Sequence, residues 1–219
     1  MRLFAAIVPP RAVLEEVAQV LSSPSGVQAG HRPRRFLDRF TGGAAGSRAA
    51  GRPVPTAEPR TELDIPELDS MYIPITGFGN VTLGDSVKLA DAMRSGAATW
   101  RRPEVRFHGG TALEFPGDES VWAKLTGELD VLMTIAGGVP MVVQRLGFFV
   151  DRRQFRPWLS VGTITDDTTA PYLERVVAAL EEFEGRQWKV DSVWLMTRPP
   201  DSKSPSRFEP MEQMPLAGR

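Results

Sequence analysis

The sequence predicts an α+β protein of two related lobes, each a small antiparallel sheet backed by helices. Three observations carry that expectation. Short β-rich runs alternate with stretches of helical periodicity, mostly two strands to a helix. Two strand-like segments of the same character, SMYIPITGFGNV at 70–81 and FRPWLSVGTI at 155–164, fall at comparable places in the two halves. With 219 residues and 42% hydrophobic content, the chain can also bury a core suited to one domain of two packed lobes.

Element by element, RLFAAIV at 2–8 reads as a strand stopped by Pro9-Pro10. Val13, Val17, Val20 and Leu21 then form the apolar stripe of a first helix. From 22 to 66 the pattern collapses into Gly, Pro, Ser, Ala and Arg, which marks an insertion into a single 1–219 domain. Order returns at the 70–81 strand. A helix follows from Asp85 to about Ala98, carrying Val87, Leu89, Ala90 and Met93. EVRFHGGTALEF at 104–115 starts as an alternating strand and is expected to turn at Gly109-Gly110. VWAKL leads into a helix carrying Leu125, Leu129, Leu132, Met133 and Ala136, with Gly137-Gly138 as its stop and PMVVQRLGFF beyond it as a strand. After the 155–164 strand comes the clearest helix. Thr168 or Thr169 caps it, Pro171 sits in its first turn, Leu173, Val176, Val177, Leu180 and Phe183 share a face, and Gly185 closes it. RQWKVDSVWLMT and SRFEPMEQMPL finish the chain as strands.

Composition excludes several functions. A net charge of −1 gives no global field toward nucleic acid or an anionic membrane. The absence of cysteine removes disulfides, thiolate nucleophiles and cysteine-ligated metals, and fits a reducing compartment. No run nears the roughly 18 apolar residues of a membrane span. MRLFAAIVPP is too short and lacks the cleavage site of a signal peptide, so a soluble, cytoplasmic protein is expected. GGAAGSRAAG lacks the Gly-Lys-Ser/Thr of a phosphate-binding loop, and no Gly-x-Ser-x-Gly accompanies FHGG at 107–110. No cluster supports a metal site, and no cofactor is expected. Only two histidines exist, His31 and His108, and His108 reads as a half-exposed strand residue.

Taken in order, RLFAAIVPP, IPELDSMYIPITGFGNV, VRFHGGTALEFPG, QFRPWLSVGTI, VDSVWLMTRPP and RFEPMEQMPL resemble the 2H phosphoesterase superfamily, in its 2′,5′-RNA ligase-like, RNA cyclic-phosphodiesterase branch. The resemblance covers nearly all of the chain apart from 22–64. It implies two antiparallel sheets facing a central cleft, with helices outside. It also implies two His-x-Thr/Ser motifs across that cleft, one imidazole acting as base and one as acid on a cyclic phosphate while the hydroxyls hold its oxygens. Imidazole suits either role because its pKa lies near 6.5.

At the matching positions the chain departs from that pattern. The first motif reads Tyr72-Ile73-Pro74 and the second Trp158-Leu159-Ser160. Tyrosine titrates near 10, and indole offers only an N–H donor. The resemblance therefore implies a degenerate member, a binding or interaction module that has lost the family's hydrolysis or ligation of RNA. Two roles are open to Tyr72 and Trp158: filling the old cleft as core, or stacking on the bases of RNA or a nucleotide, with Ser160 and Arg156 as further ligand contacts. An alternative is an enzyme with displaced chemistry on Tyr72, Ser160 and Arg156.

The second candidate surface is the basic insertion. Between His31 and Arg60 seven arginines face two acids. Arg32, Arg34, Arg35, Phe36, Leu37, Arg39 and Phe40 form a short amphipathic patch suited to RNA phosphates, a protein or a ribonucleoprotein, as an accessory subunit would use.

Overall fold

The computed structural model describes residues 1–22, 63–151, 153–197 and 208–217. Nine strands and four helices occur among them, in the order β1 (Arg2–Ile7), α1 (Arg11–Ser22), β2 (Leu63–Asp64), a 3₁₀ turn (Leu68–Ser70), β3 (Ile73–Asn80), α2 (Leu83–Ala97), β4 (Glu104–Ala112), β5 (Ser120–Gly127), α3 (Leu129–Gln144), β6 (Trp158–Ile164), α4 (Ala170–Glu182), β7 (Trp188–Lys189), β8 (Ser192–Thr197) and β9 (Glu209–Pro215). The strands form two sheets, ordered β3-β1-β8-β9 and β2-β6-β5-β4-β7, with every pairing antiparallel. This is the expected α+β architecture. The two odd segments supply one strand to each sheet, and β3 meets β6 where the sheets approach.

Alternation explains why both sheets hold. Leu3, Ala5 and Ile7 of β1, Val121, Ala123 and Leu125 of β5, and Leu159 and Val161 of β6 are all buried. Helices cover the apolar faces. α2 and α3 pack together, with α2 against β8 and β9 and α3 against β3, whereas α4 lies on β4 and touches α1. Pro74 sits in β3, an edge strand, where its missing N–H costs no internal ladder bond. Among the described residues no helix is long and apolar enough to cross a membrane.

Four expectations are corrected. First, α3 does not stop at Gly137-Gly138; it runs through both glycines and Pro140 to Gln144, so PMVVQ is helical and the expected strand at 140–149 does not form. The buried face explains this, because Leu132, Ile135, Ala136, Val139 and Val143 keep helical spacing across the glycines. Gly138 also has a packing role. A Cβ there would lie 2.7 Å from the Trp100 ring, which leans on α3 from beyond α2. Gly138→Ala is expected to destabilise the fold by about 1–3 kcal/mol through overpacking, read as a lower urea midpoint, whereas Gly137→Ala, with open space around its Cβ, is expected to be neutral or better.

Second, β4 does not turn at Gly109-Gly110. It continues to Ala112 through a register shift between Phe107 and Gly110, with Gly109 at φ +93°. Third, Leu125 belongs to β5 rather than to the helix after it. Fourth, the 22–66 stretch is narrower than it reads. Ser22 ends α1, and Leu63–Asp64 pairs with Thr163 and Ile164 as the outer strand of the second sheet.

Candidate functional site

A hollow of about 860 Å³ opens between the two sheets, and both Tyr72 and Trp158 line it. Tyr72 immediately precedes β3, and Trp158 is the first residue of β6, so each chain segment delivers its aromatic to the same space. Tyr72 enters the lining from the side of the first sheet, and Trp158 from the second.

The Tyr72 wall is an aromatic cluster. Its ring lies 4.9 Å from Phe4, tilted, and 5.8 Å from Phe208, edge on, while Phe4 and Phe208 are 4.5 Å apart. Phe4 comes from β1, hydrogen-bonded between β3 and β8, and Phe208 from the residue before β9. Burial among these rings pushes the Tyr72 hydroxyl up to about 12. At pH 7 roughly one molecule in 10⁵ would carry the phenolate, so Tyr72 is a worse base here than in water.

The neutral phenol also has a stability consequence. The folded value of about 12 exceeds the unfolded value near 10, so the folded state holds the proton more tightly. That contribution is full below pH 10 and is lost as pH rises from there through about 12. Tyr72→Phe is expected to decline less steeply than the wild type over this interval, as read from urea midpoints at pH 8 and pH 11.

The Trp158 wall comes from the second sheet. On β6, Trp158 and Ser160 share a face, and across the ladder they meet Lys124 and Trp122 of β5. Trp122 lies 6.2 Å from Trp158, and Lys124 Nζ stands 5.5 Å from the Trp158 ring. The Arg156 guanidinium carbon sits 4.9 Å from the Trp158 ring and 4.7 Å from the Phe115 ring, bracketed by the two.

Among the described residues, Arg2, Arg153 and Arg156 reach the hollow against one carboxylate, Asp151, which is paired with Arg153. Asp151 closes the outer edge of β3: its N–H donates to the Gly77 carbonyl, and its own carbonyl accepts from the Thr76 hydroxyl. Positive potential thus meets flat apolar surface, a combination suited to a planar anion.

Of the expected ligand residues, Tyr72, Pro74, Trp158 and Arg156 line the hollow, and Ser160 does not. His108 stands elsewhere, on β4, donating from Nδ1 to the Phe183 carbonyl at 3.0 Å. No imidazole lines the hollow among the described residues. His31 and the basic patch Arg32, Arg34, Arg35, Phe36, Arg39 and Phe40 lie outside those residues. Among the described residues no group of three or more His, Asp or Glu is placed to hold a metal ion. Phe4, Phe208, Trp122 and Phe115 are absent from the sequence-based list, because only sheet register brings them beside Tyr72 and Trp158.

Two sheets enclosing a cleft, with one strand from each half meeting at it, give the fold that the resemblance implies. Solved structures bear this out. The chain superposes on TT0787 of Thermus thermophilus with a TM-score of 0.65 at 14% identity, covering 100% of this chain and 99% of that one. It superposes on Escherichia coli LigT complexed with 3′-AMP with a TM-score of 0.62 at 14% identity, covering 99% and 98%. A structure described as a phosphoesterase gives 0.60 at 15% identity, covering 99% and 98%. LigT has also been solved with ATP and with NADP+. By sequence the chain matches no family model and no curated relative.

Proposed function

We propose that this protein binds a nucleotide or a nucleotide unit of RNA in the cleft between Tyr72 and Trp158, and does not open or join phosphodiesters there. One observation carries the reading: two aromatic walls line an open, cation-rimmed hollow at the positions where the resemblance puts the acid and the base. Had the aromatics merely extended the core, the space between them would be filled. A purine or pyrimidine offers the flat face such walls accept, and stacking of this kind contributes about 1–3 kcal/mol per base. The nucleotide complexes of LigT, on the same fold, support a ligand of this class.

The enzymatic alternative has weaker support. Its base would be Tyr72, whose burial opposes ionisation, and its hydroxyl would be Ser160, which stands outside the cavity lining. Titration with adenosine 3′-monophosphate, followed by tryptophan fluorescence, tests the binding reading. Saturable quenching is expected, and a flat titration at millimolar nucleotide would refute it.

A further inference from the structure

We infer that Arg156 is the anion subsite of this cleft and that it receives the terminal phosphate of a nucleoside monophosphate; this rests on the nucleotide reading above. In the pattern the chain resembles, the phosphate is held by motif hydroxyls. Here one of those positions is Pro74, which has none, and the other is Ser160, off the cavity lining and facing Trp122 across the ladder. Another group must supply the donors.

Arg156 has them to give. Guanidinium carries five N–H donors and accepts nothing. Among the described residues no carboxylate pairs with Arg156 or Arg2, whereas Arg153 in the same cleft is engaged by Asp151; of the three, Arg156 is the one held against aromatic rings. The rings of Phe115 and Trp158 bracket its charge at 4.7 and 4.9 Å without occupying those donors as a carboxylate would. Holding the long side chain between rings lowers the ordering cost of binding, and a guanidinium fork matches two phosphate oxygens at once.

A monoester is favoured over a cyclic ester by simple counting. It offers three non-bridging oxygens and close to two negative charges near neutral pH, against two oxygens and one charge. The cleft then prefers the shape of a ring-opened product to that of the ring.

One buried carboxylate holds this clamp in place. Asp118 is only 5% exposed, and it accepts from the Trp122 indole N–H at 2.9 Å and from the backbone N–H groups of Glu114 and Ser120 at 3.1 Å each. Its own N–H returns to the Phe115 carbonyl at 3.0 Å. The turn that carries Phe115 contains Leu113 at φ +54° and Gly117 at φ +77°, so without such ties it has little reason to keep this shape. Asp118 touches no ligand in this account. It is a positioning residue that fixes Phe115 and Trp122, and through them Arg156 and Trp158.

The test measures the affinity of the full chain for adenosine, 2′,3′-cyclic AMP and adenosine 3′-monophosphate by calorimetry. For the wild type the monophosphate is expected to bind about tenfold or more tighter than adenosine, with the cyclic ester between them. Arg156→Gln, at an exposed position, is expected to bring the monophosphate-to-adenosine ratio close to one, and Arg156→Lys to leave it intermediate. Asp118→Asn is expected to lower the same ratio by roughly threefold or more, a readout that a loss of stability alone would not move. A ratio that survives Arg156→Gln, or falls instead in Ser160→Ala, overturns the assignment. If wild type binds adenosine and its monophosphate equally, the clamp fails while stacking stands; if it binds neither, both fail.

Discussion

Incubated with 2′,3′-cyclic AMP between pH 6 and pH 9, the protein is expected to leave the ring closed at the uncatalysed rate, and Tyr72→Phe is expected to change nothing. Opening a cyclic phosphate near neutrality needs one group to take a proton from water and another to give one to the leaving oxygen. Each such group is worth roughly 10²–10⁴-fold. Among the described residues that line the cleft there is no imidazole, and its carboxylate, Asp151, is paired with Arg153. The Tyr72 hydroxyl is pushed up to about 12 by burial beside Phe4 and Phe208, so raising the pH to 9 still leaves it protonated. Trp158 has only an indole N–H. Arginine does not lose its proton in this range. The measurement is ring opening followed by chromatography, and a rate that rises with protein concentration and falls in Tyr72→Phe would show that the phenol acts after all.

Trp158→Ala is expected to weaken binding of adenosine 3′-monophosphate roughly 5- to 150-fold, the range that the loss of one base stack implies. The variant removes more than a stacking face. Lys124 and Arg156 both approach that ring, and Trp122 packs beside it, so the alanine also frees Arg156, one of the cleft's cations. Trp158→Phe keeps a face and is expected to recover most of the affinity. Because Trp158 is only partly buried, both variants are expected to fold, which a thermal melt checks.

The sequence makes the frame of this molecule readable through periodicity and segment order. The 70–81 and 155–164 segments can be matched as related strands because each pairs a short apolar alternation with a proline and an aromatic at its start. The failures have physical causes. Periodicity alone cuts α3 short because glycine and proline weigh as helix breakers locally, while Trp100, far away in sequence, is what makes Gly138 useful. A two-residue strand such as β2 is below any periodic signal.

The site is half legible. Tyr72 and Trp158 follow from motif position, but their partners follow only from register: Trp122 matters because β5 sets it opposite Ser160, and Phe4 because β1 pairs with β3. Asp118 reads as an ordinary turn residue in FPGDES. Its value comes from burial and from the three donors that converge on it.

We propose that the aromatic rings make this cleft a receptive rather than a reactive one, and a phosphorus NMR titration of 2′,3′-cyclic AMP with the wild-type protein is the sharpest test. The predicted spectrum shows a cyclic resonance that shifts or broadens saturably with protein and remains the only nucleotide signal after a day. A monoester resonance growing in proportion to protein, or a cyclic signal indifferent to it, would contradict the account.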